Sequence, residues 1–170
     1  MKGMSASGTT PSSPVEPLRD RIRLIQHSGL KLRLLFRLGD LQTLLNRDSF
    51  WARGRSQRDL RRMLAGSQAV VSAWHGNDLV GFGRATSDGV FRAVLWDVVV
   101  AAEHQGHGLG SELVAILLRN QFVARVERVY LMTTNSAGFY TKLKFHEQHG
   151  QKLMIRESEA RSAARKTHGT

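Results

Sequence analysis

The chain has 170 residues, enough for one domain with a substantial core and short for two. It contains no cysteine, which excludes disulfides, thiolate nucleophiles and zinc sites built on sulfur, and no apolar run approaches the about 20 residues that span a bilayer. The formal net charge is +11; residues 1–20 contribute none of it and residues 151–170 contribute +3, so +8 sits between them, on a surface that draws anions such as nucleic acid, acidic proteins or a phosphate-rich cofactor.

Residues 1–20, small and polar without the apolar segment of a secretory signal, read as a disordered tail ahead of a domain over 21–155. Apolar and charged residues alternate from Ile22 to Ile25 and from Leu30 to Leu34, which predicts one or two edge strands. A helix opens on Asp40 as N-cap, with Leu41, Leu44 and Leu45 at helical spacing, and a second runs from Ser56 to Gly66. The period then changes to that of strands. Three β-rich runs separated by "HGND" and "TSDG" predict an antiparallel meander, its third run, Val90 to Val100, apolar enough to be buried on both faces. Leu109, Leu113, Ile116 and Leu117 mark a helix reaching to about Arg125; "RVERVYLMTT" follows as a strand, "SAGFYTKL" as a short helix and "KFHEQHGQKLMI" as a last strand or hairpin. Residues 156–170 read as a solvated basic tail.

The chemistry concentrates where the third run meets the helix, in "DVVVAAEHQGHGLGSELV". Glycine ends strands and weakens helices, so Gly106, Gly108 and Gly110 at spacing two predict a tight turn with unshielded N–H groups, and the following helix adds the positive end of its dipole. Such a turn suits a pyrophosphate. A dinucleotide fold would place G-x-G-x-x-G after its first strand, and a P-loop needs Gly-Lys-Ser/Thr; this chain has neither.

These residues resemble the acetyl-CoA signature (Q/R)-x-x-G-x-G/A of the GNAT superfamily of N-acetyltransferases, matched by Gln105, Gly106, Gly108 and Gly110. "FYTKLKF", Phe139 to Phe145, is similar to that superfamily's closing Y-x-x-x-G-F, with Lys144 in place of the glycine. "GFGRATSDGVFRAVLWDVVV" and "VERVYLMTTNSAGFY" are similar to the cyanobacterial and plastid branch that includes plant serotonin N-acetyltransferases. The resemblance implies an α+β fold: a mixed, mostly antiparallel sheet of seven strands, flanked by helices and splayed beside the strand ending at Val100. It further implies acetyl-CoA as co-substrate and no metal. Main-chain groups of Val98, Val99 and Val100 would pair with the pantetheine arm. Amides from Gln105, Gly106, His107, Gly108, Leu109 and Gly110, with Ser111 next, would hold the pyrophosphate, and Asn135 is a further cofactor candidate. Tyr140 would protonate the departing thiolate, and Asp97, ahead of Glu103, is the candidate for taking the amine's proton. Acetyl would pass directly to a primary amine, an arylalkylamine such as serotonin or a protein lysine or N-terminus. The chain would be a cytoplasmic bacterial monomer or homodimer, with a plastid as the alternative compartment and no membrane or nucleic acid as partner. The competing reading is a non-catalytic module that binds acetyl-CoA or a protein partner.

Structural readings stand beside these. Asp97 could be ion-paired with Arg84 or Arg92, and Tyr140 could pack its ring against the sheet. His104 and His107, three apart on a loop without an evident third ligand, read as exposed polar residues. Trp74 and Trp96 read as core, whereas Phe50 and Trp51 fall near the expected substrate loop. Arg53, Arg55, Arg58, Arg61 and Arg62 read as a solvated face.

Overall fold

The computed structural model describes residues 22–27, 35 and 37–157. The predicted tail over 1–20, the strand over Leu30–Leu34 and the tail beyond Glu157 lie outside them; Arg156 and Glu157 are exposed and without regular structure. The chain divides into two compact units at Met132/Thr133.

The first unit carries the sheet. Its strands are β1 (Ile22–His27), β2 (Ala69–His75), β3 (Asp78–Ser87), β4 (Arg92–Val100) and β5 (Arg128–Tyr130), in the spatial order β1-β2-β3-β4-β5. All neighbours are antiparallel except β4 and β5. The turns of the β2-β3-β4 meander are those the sequence predicts, with Gly76 at φ +58° and Gly89 at φ +78°, and the Asp88 carboxylate accepts the amides of Val90, Phe91 and Arg92 in the second. The fold class is thus the predicted one, with five strands among the described residues where the resemblance implies seven. β4 also differs from a strand buried on both faces: burial alternates along it, with Ala93, Leu95, Asp97 and Val99 buried and the residues between them partly exposed.

Helices cover both faces. α1 (Leu38–Asp48) buries Leu38, Leu41, Leu44 and Leu45. It begins before the predicted Asp40: Arg37 is the N-cap and Asp40, in the first turn, pairs with Arg37, because the extra turn buries Leu38. A 3₁₀ turn, Phe50–Ala52, leads to α2 (Gln57–Ala65), where the predicted boundaries hold: the Ser56 hydroxyl accepts the Asp59 amide, a cap worth about 1 kcal/mol, and Gly66 is the C-cap. Leu60 and Leu64 anchor α2 in the core.

After β4 the 3₁₀ turn Ala102–His104 leads to α3 (Leu109–Arg119), which packs on β2, β3 and β4. It ends six residues short of Arg125. Asn120 stops it, its side-chain oxygen accepting the Phe122 amide and its carbonyl those of Val123 and Ala124, the local competition that makes asparagine a poor helix interior. Two glycines of β3 let α3 sit close. A Cβ on Gly81 would stand 3.0 Å from Ala73 Cβ and 3.1 Å from Leu113 Cδ1, and one on Gly83 would stand 3.1 Å from Leu117 Cδ1.

The second unit holds α4 (Ala137–Lys142). The run 144–155 forms no strand; Leu153, Met154 and Ile155 are exposed there, so the apolar residues that suggested one meet no partner among the described residues. The predicted strand around Arg128 is likewise confined to the three residues of β5.

Candidate functional site

The short β5 defines the site. It pairs with β4 only at Arg92, Ala93 and Val94, so from Leu95 to Val100 that edge of β4 has no strand partner among the described residues. On that side the main-chain groups that face away from β3 lack a ladder partner, as at any sheet edge, although the Val100 carbonyl already accepts from Gln105 Nε2.

A bulge shapes this edge. Trp96 pairs with Arg84 and Val99 with Phe82, so two residues, Asp97 and Val98, stand opposite Gly83 alone, and Asp97 takes φ +50°. The left-handed region costs an ordinary side chain about 1–2 kcal/mol, and aspartate tolerates it better than most. The extra residue puts consecutive side chains on one face: the Arg84 guanidinium lies 5.6 Å from the Trp96 ring centroid and its Nε donates to Asp97 Oδ2 at 2.8 Å.

Asp97 is fully engaged. Arg55 Nη1 lies 3.0 Å from Oδ2 and Trp51 Nε1 donates to Oδ1 at 3.2 Å. Its side chain is 4% exposed and that of Arg84 13%. Burial alone would raise its pKa, but the hydrogen bond from Arg55 and the charge of Arg84 outweigh burial and hold it below the usual carboxylate value of 3.8. The ion pair with Arg84 is one the sequence left open. The second cation is Arg55, from the α1–α2 connection; Arg92, the other partner considered, pairs with Glu127 at 2.7 Å.

Beyond Val100 the chain enters the glycine turn. Gln105 Nε2 donates to the Val100 carbonyl at 2.8 Å, clipping the start of the turn to the end of β4. Gly106 and Gly108 sit at φ +79° and +84°, which requires glycine, and Gly108 is the N-cap of α3. Gly110, by contrast, lies in the first turn of α3 and is not left-handed. The amides of Leu109, Gly110 and Ser111 have no intrahelical acceptor by position and point out of the N-terminus together with its dipole. Leu109 is buried and ties the turn to the core, while Gly106, His107 and Gly108 are exposed. A cleft of about 220 Å³ lined by Ile22, His107, Leu109 and Glu112 lies beside it. The set fits a pyrophosphate: main-chain donors on a glycine turn at a helix start.

Glu103 is exposed and paired with Arg47 at 3.1 Å; Arg47 also holds Asp48, whose carboxylate accepts the Ala102 amide, so α1 braces the segment ahead of the turn. His104 corrects the sequence reading: it is buried, 6% exposed, with its ring 5.4 Å from that of His75 and neither ring nitrogen hydrogen-bonded. Among the described residues no three His, Cys, Asp or Glu side chains are grouped to hold a metal. Trp74 is core; Trp96, partly exposed, donates to Thr86 Oγ1.

The second unit holds Asn135, exposed ahead of the α4 N-cap Ser136, and Tyr140. The Tyr140 ring lies edge-on between Phe139 and Phe145, at 4.8 and 5.8 Å between centroids, and burial raises its pKa above 10.0, so the phenol keeps its proton at neutral pH. The Phe145 amide donates to the Tyr140 carbonyl and the Lys144 amide to that of Thr141, closing α4 with a Schellman motif in which Lys144 takes φ +68°. The glycine usual in the resembled motif therefore answers a backbone requirement that this chain meets with lysine.

Sequence reasoning missed Arg55 as a partner of Asp97, since 42 residues separate them. It also passed over Gly81 and Gly83, although two glycines in a strand pattern are a signal of close backbone approach.

Residues 38–145 match the model of the acetyltransferase (GNAT) family. The chain is 38% identical over 85 residues to an uncharacterised ycf52-like N-acetyltransferase of Prochlorococcus marinus, an alignment covering 48% of the chain and 47% of that protein. It is 31% identical over 158 residues to the soybean histone acetyltransferase TAP1, covering 81% of the chain and 68% of that protein. The chain spans about half the length of the ycf52-type curated relatives it matches. Among solved structures, a Xanthomonas campestris protein belonging to the GNAT family superposes with a TM-score of 0.67 at 24% identity, over 80% of this chain and 94% of that one, which shows the shared fold.

Proposed function

Because the chain belongs to the acetyltransferase (GNAT) family, we propose that it transfers the acetyl group of acetyl-CoA directly to a primary amine. The observation that carries this reading is the continuity of the open β4 edge with the glycine turn at the start of α3. One extended ligand carrying an amide-bearing arm and a pyrophosphate meets both. Val98 to Val100 would take the arm, and the amides from Gln105 to Ser111, most directly those of Leu109, Gly110 and Ser111, would take the pyrophosphate.

In the reaction the amine nitrogen bonds to the acetyl carbonyl carbon, the carbon–sulfur bond breaks, and sulfur leaves with the electron pair. Tyr140 supplies the proton that sulfur takes up; this assignment rests on its place in the "FYTKLKF" motif and on burial, which keeps the phenol protonated. The attacking amine gives one proton to water, and the tyrosinate takes one back from solvent, so the products are the acetamide and the CoA thiol. Asp97, held ionised by two guanidinium groups, is a weak proton acceptor, and we read it as a positioning residue for Arg55, Arg84 and Trp51. Two cations around one carboxylate leave a positive excess that favours the neutral, nucleophilic amine.

The acceptor is open between an arylalkylamine, for which exposed Phe50 and Trp51 provide aromatic surface, and a protein amine, which the name of the soybean relative favours. The test is CoA release read with a thiol reagent across serotonin, tryptamine, spermidine and lysine peptides, a readout to which a chain without cysteine is silent. Turnover lost on Tyr140→Phe with acetyl-CoA binding retained is the expected result. A thermal shift with acetyl-CoA but no release on any amine would establish the non-catalytic module instead, and no shift at all would sink the assignment of the glycine turn.

A further inference from the structure

The α1–α2 connection and α2 carry a charge pattern that acetyl-CoA binding does not use. Residues 49–66 hold five arginines against the single acid Asp59, which is already hydrogen-bonded to the cap residue Ser56. Arg58, Arg61 and Arg62 are exposed and have no carboxylate partner among the described residues. Leu60 and Leu64 fix the opposite side of α2 in the core, so helical periodicity turns these three guanidinium groups outward. The same segment reaches the bulge: Arg55 and Trp51 bind Asp97, and the rings of Phe50 and Trp51, 61% and 47% exposed, meet edge-on at 5.0 Å.

We propose that this surface docks an acidic polypeptide and thereby selects, as acetyl acceptors, amines carried in an acidic sequence context. The proposal rests on the acetyl-transfer reading and names its substrate class. Unpaired guanidinium groups bind carboxylates with two parallel hydrogen bonds and steer anionic partners over roughly the 8 Å Debye length of physiological salt. The same field repels polyamines and Lys/Arg-rich tails. Nucleic acid satisfies the charge, but its exocyclic base amines are poor nucleophiles and it lacks the aliphatic amine that the transfer needs; an acidic polypeptide supplies both carboxylates and amine.

The experiment uses the full chain and three peptides of equal length, each with one lysine and an acetylated N-terminus, flanked by glutamate, by serine and glycine, or by arginine. CoA release gives kcat/KM for each, and fluorescence anisotropy gives peptide affinity without acetyl-CoA. The expected result is an advantage of about tenfold or more for the acidic over the neutral peptide, carried in KM and falling steeply between low and high salt. Arg58→Glu/Arg61→Glu/Arg62→Glu, checked for folding by its melting temperature, should erase that ratio, and the charge-preserving triple lysine variant should retain it. Equal rates on the three peptides, or a preference for the arginine-flanked one, would overturn the surface while leaving acetyl transfer standing. Absence of CoA release from every acceptor, tryptamine included, would overturn the acetyl-transfer reading; acidic-peptide anisotropy lost in the glutamate variant would then still support the surface. An RNA oligonucleotide bound more tightly than the acidic peptide, and lost in the same variant, would reassign the surface to nucleic acid.

Discussion

Gly81→Ala tests how α3, and with it the glycine turn, is held. The added methyl would stand 3.0 Å from Ala73 Cβ, an atom fixed to its own backbone, and 3.1 Å from Leu113 Cδ1, in a side chain with no exposed surface. Neither neighbour can swing aside, so the cost falls in the range of about 1–3 kcal/mol for an overpacked core, offset by about 0.4–1 kcal/mol from the stiffer unfolded chain. A net loss of about 1–2 kcal/mol lowers the melting temperature of a chain this size by about 3–6 °C. Relief requires α3 to move away from β3. Leu109, also 3.7 Å from the new methyl, directly follows the left-handed Gly108, so the shift carries into the turn, and acetyl-CoA should stabilise the variant less than the parent. The control is Gly138→Ala in α4, where an added Cβ meets nothing within 4 Å; it should stabilise by about 0.5–1 kcal/mol. Thermal denaturation with and without acetyl-CoA reads both variants. A Gly81→Ala protein melting with the parent and gaining as much from acetyl-CoA would refute the close-packing argument.

His104 should make stability depend on pH in a defined window. Burial holds its pKa below the ordinary 6.5, with His75, His107 and Arg47 acting in the same direction and Glu103 opposing. Above that value both folded and unfolded chains carry it neutral; as pH falls below it the unfolded chain takes the proton first, so stability declines until the lower folded pKa is passed. Urea midpoints at pH 7.5 and 5.5 measure the decline, and His104→Phe should reduce it; an identical slope in the variant would assign the effect elsewhere. Lys144→Gly places the residue free of steric cost at φ +68° and should raise stability by about 1 kcal/mol, read as a higher melting temperature; a lower one would show that the lysine side chain contributes contacts that outweigh its backbone strain.

The parts of the fold legible in the sequence are those set by local chemistry. "HGND" and "TSDG" demand positive φ at their glycines, and Ser56 and Gly66 bracket α2, so the meander and the helix boundaries follow from neighbouring residues. The glycine turn is legible for the same reason, although only Gly106 and Gly108 are left-handed. What failed depended on distant partners. Apolar residues in 144–155 look like a strand but form none, and His104 looks like a loop residue until its ring packs beside His75 near Leu44 and Arg47 of α1. The bulge at Asp97 left one trace, a carboxylate in an apolar strand. That trace could mark a base or an ion pair, and only the arrival of Arg55 and Arg84 from other elements separates the two.

That separation can be tested on the protein. If Asp97 positions the arginines and the acceptor loses its proton to water, then kcat/KM should track the neutral fraction of the amine. The logarithm of kcat/KM should rise with near unit slope from pH 6 to 9, because kcat/KM reports the free acceptor amine, whose ordinary pKa of about 10.4 lies above that span. A residue acting as base would instead give a plateau above its own pKa. Asp97→Asn supplies the second arm. It leaves Arg84, 13% exposed, without its carboxylate, and breaking such a buried pair costs about 3–5 kcal/mol, so the variant should melt well below the parent and is assayed at low temperature. Activity surviving in the folded fraction with the same unit slope supports a positioning role. Abolished turnover with acetyl-CoA binding intact, together with a plateau in the parent, would return the proton-accepting role to Asp97.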